Sequence, residues 1–282
     1  MALSPSVTNE LLRQLDHRPN KKLGQNFLID GNLVEKSISM AELPTNMPVL
    51  EIGPGLGTLT ERLLAHGHPV YAVEIDRRLD AHLREQLASF IESGQFNLLR
   101  ADAVKYPTGD LPEEIDDFAV VANLPYAISS AWLEGLLGSG KLPLRMVMML
   151  QKEATERMLA CPGSKTFNAL SIFLQACYKT GGKHAVPGQC FFPAPSVDSV
   201  LLRMDRLENK FPFPKDVRVL IRRIFTQRRK QLGSLIKKET KELGDILLDW
   251  LERNALCPTI RPEKVTVTHW IDLGKSLPVN PE

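Results

Sequence analysis

Glu51-Ile52-Gly53-Pro54-Gly55-Leu56-Gly57-Thr58 constrains the fold more than any other stretch of the 282 residues. An apolar run, Pro48-Val49-Leu50, precedes it and reads as a buried strand. Thr58 to Leu64 follows with helical spacing of apolar residues, and Thr58 is placed to cap that helix. Three glycines at alternate positions therefore lie between a strand and a helix. Glycine permits a left-handed backbone and lets a ligand approach the main chain closely. In an open α/β sheet this junction is where nucleotide-like ligands bind. The spacing is Gly-x-Gly-x-Gly, not the Gly-x-Gly-x-x-Gly of dinucleotide sites. Acidic residues stand at the strand's end, Glu51, and about 20 residues further on, Glu74, where they can hold polar ligand groups. A cofactor without phosphate is favoured over NAD.

The strand-helix alternation continues downstream. Strands are expected at 70–73, 96–100, 118–122 and 146–150, with a late alternating strand at 197–204. Helices are expected at 4–15, 32–40, 77–90, 129–137, 151–159 and 168–177. This predicts an α/β fold, a doubly wound, Rossmann-like and mainly parallel sheet. Four successive strands end in polar residues: Glu51, Glu74, Asp102 and Asn123. The carboxyl ends of parallel strands share one rim, so these side chains are expected to converge on one crevice.

Charge divides the chain. The net formal charge is +2, yet Leu207 to Glu282 carries 15 Lys and Arg against 10 Asp and Glu. The remainder holds 20 against 23. The texture changes near Pro212 and Pro214, which predicts an α/β domain over 1–206 and a small, basic, all-helical domain over 207–282. One helix is expected from Asp216 to Lys238, followed by another from Leu243 to Leu251. On the first, Arg218, Arg222 and Arg229 share a face at spacings of four and seven, with Lys230 beside them. Arginine grips phosphate through a bidentate fork, so this helix is expected to contact a polyanion. Arg18, Lys21 and Lys22 can extend the same positive surface. No run of about 18 apolar residues suggests a membrane span, and the amino terminus lacks the order of a secretory signal. Cys161, Cys177, Cys190 and Cys257 are far apart and form no metal-ligand pattern. A cytoplasmic protein with reduced thiols and no metal is expected.

Glu74 suits a ribose diol, because a carboxylate accepts two hydroxyl hydrogen bonds. Asp102 can accept from an adenine amine at the next strand end. With Gly53 and Gly55 these residues fit S-adenosylmethionine. Asn123-Leu124-Pro125-Tyr126 is the most informative tetrapeptide. An exocyclic base amine is a poor nucleophile, since its lone pair is delocalised into the ring. The Asn123 amide oxygen and the backbone carbonyl of Leu124 or Pro125 can accept both amine hydrogens and aim the lone pair at a methyl donor. Pro125 stiffens the loop, and Tyr126 can stack on an extruded base. Phe191 or Phe192, in Phe191-Phe192-Pro193-Ala194-Pro195-Ser196-Val197-Asp198, is a candidate for the opposite wall, with burial in the core the alternative for each ring.

These residues resemble the rRNA adenine N6-dimethyltransferases, a family whose members use S-adenosylmethionine. The matching stretches are Leu23-Gly24-Gln25-Asn26-Phe27-Leu28, Glu51 to Thr60, Glu74, Asp102, Asn123 to Tyr126, Phe191 to Val200 and Phe225 to Lys230. The resemblance implies a class I methyltransferase fold. It implies that Asn26 and Leu28 form a lid over the methionine part of the cofactor, and that Gly53, Glu74, Asp102 and Asn123 also contact it. It further implies dimethylation of two adjacent adenines near the 3′ end of 16S rRNA and a role in small-subunit assembly. Ala101-Asp102 departs from the Gly-Asp pair common in the family. Two rivals stand beside this reading: an Erm-type enzyme acting on large-subunit rRNA, and a non-catalytic assembly or transcription factor that keeps the fold. Leu124 and the Gly24-Gln25 pair favour the small-subunit enzyme, and a monomer is expected because the substrate is itself a large particle.

Overall fold

The computed structural model describes residues 4–278. Helix α1 (Pro5–Gln14) opens the chain, with Ser4 accepting from the Val7 amide as its cap. A two-residue strand β1 (Phe27–Leu28) and helix α2 (Gly31–Ala41) follow, and Asp30 caps α2 through the Asn32 and Leu33 amides. Then the alternation begins. Strand β2 (Val49–Ile52) leads to α3 (Thr58–Ala65), and β3 (Val70–Glu74) leads to α4 (Arg77–Gln86) and α5 (Ala88–Glu92). Strand β4 (Phe96–Arg100) is followed by β5 (Ala119–Asn123) and α6 (Ser129–Leu136). Strand β6 (Arg145–Gln151) runs into α7 (Lys152–Met158), and α8 (Ala169–Gln175) precedes β7 (Tyr178–Val186). Strands β8 (Phe191–Phe192) and β9 (Ser199–Arg206) complete the set.

Seven strands form one sheet in the order β4-β3-β2-β5-β6-β9-β7. The pairs β2–β3, β3–β4, β2–β5 and β5–β6 are parallel, and β9 pairs antiparallel with β6 from Arg145↔Asp205 to Gln151↔Ser199. The sheet is the doubly wound α/β fold of class I methyltransferases. The order reverses between β2 and β5, which makes the carboxyl ends of these strands the switch-point crevice. All four residues of β2 are buried, as a strand covered on both faces must be. Three strands escaped the sequence reading. The polar run of β7 is exposed at nearly every position, so no apolar period marks it. The β1–β8 pair is only two residues long, joining Phe27 to Phe192 and Leu28 to Phe191.

Two compact units result, one of 4–155 with Lys179–Arg206 and one of Glu156–Tyr178 with the residues from Leu207 onward. The second unit thus takes a mid-chain segment that no change in composition announces. It is built on α8 with α9 (Lys215–Phe225), α10 (Leu232–Ile236), α11 (Lys241–Arg253) and α12 (Val267–Ser276). Its centre is a chain of aromatic contacts. Phe167 meets Phe225 at 6.0 Å, Phe225 meets Trp270 at 5.8 Å, and Trp270 meets Trp250 at 5.4 Å between ring centroids. Among the described residues no helix is long and apolar enough to cross a membrane.

Two local expectations are corrected. Thr58 is the first helical residue of α3 rather than its cap, a place held by Gly57 in the left-handed region at φ +79°. The expected helix from Asp216 to Lys238 is broken after Phe225. The Thr226 hydroxyl turns back on the Arg223 carbonyl at 2.7 Å, the Gln227 amide bonds Ile224, and the Arg228 guanidinium is drawn to the carbonyls of Lys165 and Phe167. Local side-chain bonds of this kind compete with the helical ladder. Arg229 and Lys230 therefore lie in a turn beyond α9, off the face that carries Arg218 and Arg222.

Candidate active site

A cleft opens at the carboxyl ends of β2, β3, β4 and β5. It is lined by the segment from Lys22 to Leu28, by Glu51 to Leu56, by Val73 to Ile75, by Ala101 to Ala103 and by Asn123 to Tyr126. Eleven of the twelve residues expected from sequence to bind cofactor or act on the base thus share one wall-to-wall space: Asn26, Leu28, Glu51, Gly53, Gly55, Glu74, Asp102, Asn123, Leu124, Pro125 and Tyr126. Phe191 is the exception and is a correction. The β1–β8 pairing sets it beside Leu28, and its ring is buried in the core with Leu33, Val34 and Leu201 at 2% exposure. Phe192 is half-buried against Phe27, Leu12, Leu56 and Leu79.

Glycine at this junction is required by close approach. Gly53 and Gly55 stand at φ +67° and +61°. A Cβ on Gly53 would meet the Pro125 ring at 2.8 Å, and one on Gly55 would meet the Phe27 ring at 3.0 Å. The glycine loop thus packs directly against both the tetrapeptide after β5 and the segment around β1.

The carboxylates are organised by the same loop. Glu51 is 1% exposed and accepts from the Thr60 hydroxyl at 2.7 Å. Burial pushes its carboxyl up to about 8, the Thr60 bond acting against this and the charge of Glu74 adding to it. Glu74 is also buried and accepts from the Gly55 amide at 3.2 Å and the Asp76 amide at 2.8 Å. Burial raises it to about 7 against those bonds. Asp102, half-buried, accepts from the Val104 amide at 2.9 Å. Buried carboxyl groups with so few donors suit a ligand that brings its own hydroxyls and positive charge. That is the donor demand of S-adenosylmethionine, with its ribose diol, ammonium and sulfonium.

The tetrapeptide is held on three sides. Asn123 donates its side-chain amide to the Asn26 carbonyl at 2.8 Å, leaving its amide oxygen as the acceptor. The Leu124 side chain is fully buried, so its contribution to the cleft is backbone. The hydroxyls of Tyr126 and Ser199 lie 2.6 Å apart. Burial raises the Tyr126 phenol, with the Ser199 bond opposing. The segment carrying Asn26 and Leu28 is hung from the end of β3. Gln25 accepts from the Asn20 amide at 2.7 Å, lies 3.1 Å from a His17 ring nitrogen, and donates to Asp76 at 3.4 Å. Sequence reasoning did not single out Thr60, Ser199, His17 or Asp76. Each is an ordinary residue type whose partner lies on another element.

In the second unit, Arg222 is half-buried with its guanidinium over the Phe173 ring at 5.7 Å, and Arg218 is half-buried. Arg229 and Lys230 are exposed. Among the described residues, no cluster of three or more His, Cys, Asp or Glu is arranged to hold a metal.

Known proteins resemble this chain in sequence and in fold. A family model described as "Ribosomal RNA adenine dimethylase" matches residues 16–249. The Ribosomal RNA small subunit methyltransferase A of Opitutus terrae is 49% identical over 271 residues, 96% of this chain and 97% of that protein. The protein of the same name from Macrococcus caseolyticus is 36% identical over 290 residues, 99% of this chain and 97% of that protein. Among solved structures, a dimethyladenosine transferase from Plasmodium falciparum matches with a TM-score of 0.68 at 27% identity, covering 86% of this chain and 94% of that one. The 23S rRNA methyltransferase ErmE matches with a TM-score of 0.61 at 25% identity, covering 89% and 99%.

Proposed function

The chain belongs to the ribosomal RNA adenine dimethylase family, and from that premise we propose that it dimethylates N6 of two adjacent adenines near the 3′ end of 16S rRNA in the small ribosomal subunit. It is an S-adenosylmethionine-dependent rRNA methyltransferase. The observation that carries the site assignment is the convergence of the glycine loop, two buried carboxylates and Asn123 to Tyr126 on one cleft.

When bound, S-adenosylmethionine supplies an electrophilic methyl group on a cationic sulfonium. The chain's own residues do the rest by positioning. Gly53 and Gly55 give the ligand access to the main chain, Glu74 accepts from the ribose hydroxyls, Asp102 accepts from the adenine amine, and Glu51 answers the ligand's positive charge. Asn26 and Leu28 close over the methionine end. Asn123 Oδ1 and the carbonyl of Leu124 or Pro125 accept the hydrogens of the target amine, which localises its lone pair. Pro125 stiffens that loop, and Tyr126 stacks on the flipped base. These groups stabilise the cation that develops on the nitrogen. No carboxylate base is required, since the amine becomes acidic on methylation. A second methylation needs only that one acceptor be left free for the remaining hydrogen.

Arg229 and Lys230 are assigned to rRNA phosphate. Arg218 and Arg222, assigned to the same contact from sequence, join them only through whatever part of each guanidinium stays accessible. We place the protein in the cytoplasm as a monomer, where its large ribonucleoprotein substrate is assembled.

An Erm-type activity on the large subunit is the competing reading, and the likeness to ErmE is one of fold at lower identity than the small-subunit relatives. Incubating purified small and large subunits with labelled cofactor, followed by mass spectrometry of the rRNA, tests the choice. Dimethyladenosine in 16S rRNA alone is expected. Label confined to 23S rRNA would replace this reading with the rival, and no label in either would favour a non-catalytic factor.

A further inference from the structure

Tyr126 is fixed at both ends. Its backbone lies against the lid segment, where a Cβ on Gly24 would meet the Tyr126 amide nitrogen at 3.1 Å. Its hydroxyl lies 2.6 Å from the hydroxyl of Ser199. Ser199 is 2% exposed and is the first residue of β9. It stands opposite Gln151 at the last rung of the β6–β9 ladder, and the adjacent Asp198 carbonyl accepts from the Lys152 amide at 2.9 Å. Ser199 therefore belongs to the hydrogen-bonded sheet, while Tyr126 belongs to a loop that lines the cleft.

A stacking ring is useful only if its position is set before the base arrives. A tyrosine side chain has two rotatable bonds, and packing inside an open cleft leaves one face of the ring unsupported. A hydrogen bond at the far end of the ring fixes the direction of the ring axis, because the hydroxyl must reach a fixed oxygen, and so keeps the ring from swinging out of its place in the cleft. From this geometry we infer that Ser199 is a positioning residue for methyl transfer: it tethers the Tyr126 hydroxyl to the sheet and so holds the ring in the place where the target adenine stacks. The inference rests on the assignment of Tyr126 as the stacking wall. It also gives a reason for tyrosine rather than phenylalanine at a position whose ring alone would stack. The second methylation is the more demanding step. The monomethyl amine carries extra bulk and must present its lone pair along the same line, so a ring free to tilt penalises it more than the first.

The test is a set of five variants assayed on small subunits: Tyr126→Ala, Tyr126→Phe, Ser199→Ala, Ser199→Thr and the double Tyr126→Phe/Ser199→Ala. Ser199→Ala and Tyr126→Phe are each expected to lower kcat by on the order of 10- to 100-fold, the scale set by a misaligned reactant. Cofactor Kd should stay within about twofold of the parent. The fraction of product stopped at monomethyladenosine should rise. Ser199→Ala leaves a buried phenol without its partner and lowers Tm, whereas the double variant removes both partners and recovers much of that stability. In the double variant kcat should remain as low as in either single variant, and Ser199→Thr, which keeps a hydroxyl, should restore it. If kcat recovers together with Tm in the double variant, the bond is structural and the inference is overturned. It is equally overturned by wild-type kcat in both Ser199→Ala and Tyr126→Phe while Tyr126→Ala is inactive. Full activity in Tyr126→Ala would instead remove the stacking role itself.

Discussion

The side chain of Asn123 donates to the main-chain carbonyl of Asn26 at 2.8 Å, bridging residues 97 positions apart. This one bond ties the tetrapeptide after β5 to the segment just before β1 and decides which way the amide faces. With its nitrogen committed to Asn26, the amide oxygen is left as the acceptor, the atom that the proposed mechanism assigns to the target amine. Asn123→Ala removes both functions and is expected to lower kcat by on the order of 100-fold or more, the scale of losing one preorganised polar group. Asn123→Asp keeps an acceptor but places an oxygen against the Asn26 carbonyl, so it should raise cofactor KM as well as lower kcat. Steady-state kinetics on small subunits separate the two. Full activity in Asn123→Ala would remove the amine-orienting role.

The rim of the cleft was legible in the sequence because each residue sits at the end of a strand that announces itself. Glu51, Glu74, Asp102 and Asn123 close four apolar runs, and parallel strands bring such ends together by geometry alone. What was not legible depends on contacts between elements. Whether Phe191 or Phe192 faced the cleft turned on pairing with a two-residue strand that has no period to detect. The break after Phe225 turned on Arg228 leaving its helix for carbonyls about sixty positions earlier. Thr60 and Ser199 were invisible as functional candidates, since a threonine in a helix and a serine in a strand carry no signal until Glu51 and Tyr126 are seen beside them.

Gly53 answers for both the loop and the tetrapeptide. At φ +67°, with the Pro125 ring 2.8 Å from where a Cβ would lie, it has neither the conformation nor the room for alanine. Gly53→Ala is expected to cost about 1–3 kcal/mol in stability, from left-handed strain and overlap with a rigid ring. Displacing Pro125 should also weaken cofactor binding by about tenfold or more, the cost of misplacing contact atoms. Thermal denaturation and calorimetric titration read the two effects. A Tm and Kd unchanged by the substitution would contradict the close approach.

Glu51 should make the ligand-free protein less stable as pH rises. Its folded value of about 8 lies above its ordinary 4.5, so between those values the folded state holds a proton that the unfolded state has lost. Within that window stability falls with pH, at up to about 1.4 kcal/mol per pH unit for this one group. Below the window both states are protonated and above it both are ionised, so the dependence flattens. Glu51→Gln, which stays neutral, should therefore raise Tm relative to the parent, by a margin that grows as pH is taken through the window. Parallel stability curves for parent and variant would count against a buried, protonated Glu51.

Cofactor binding should show the opposite trend. A cationic ligand favours the carboxylate, so it binds Glu51 and Glu74 ionised and releases the protons they hold in the ligand-free protein. Affinity is then expected to rise with pH and to level off above about 8, steepening below about 7 where Glu74 is also protonated. Titration calorimetry in buffers of different ionisation enthalpy reports the proton release directly. Glu51→Gln should remove the upper part of the dependence and weaken binding at every pH. Proton uptake on binding would reverse the assignment.

Arg229 and Lys230 are exposed in the turn after α9, whereas Arg222 lies over Phe173 within its own unit. The two kinds of basic residue should fail differently. Arg229→Glu with Lys230→Glu should weaken binding to the small subunit and leave Tm and cofactor Kd unaltered. Each cation withdrawn from a phosphate lowers the slope of log affinity against log salt by about 0.7–0.9, so the pair should flatten it by about one and a half to two. Arg222→Glu sets a carboxylate against an aromatic face in a half-buried position. It should lower Tm by removing a cation–π contact worth about 0.5–2 kcal/mol. Binding measured across a salt series, beside thermal denaturation of each variant, distinguishes them. A salt slope unchanged in the Arg229 and Lys230 pair would move the phosphate contacts elsewhere on the surface.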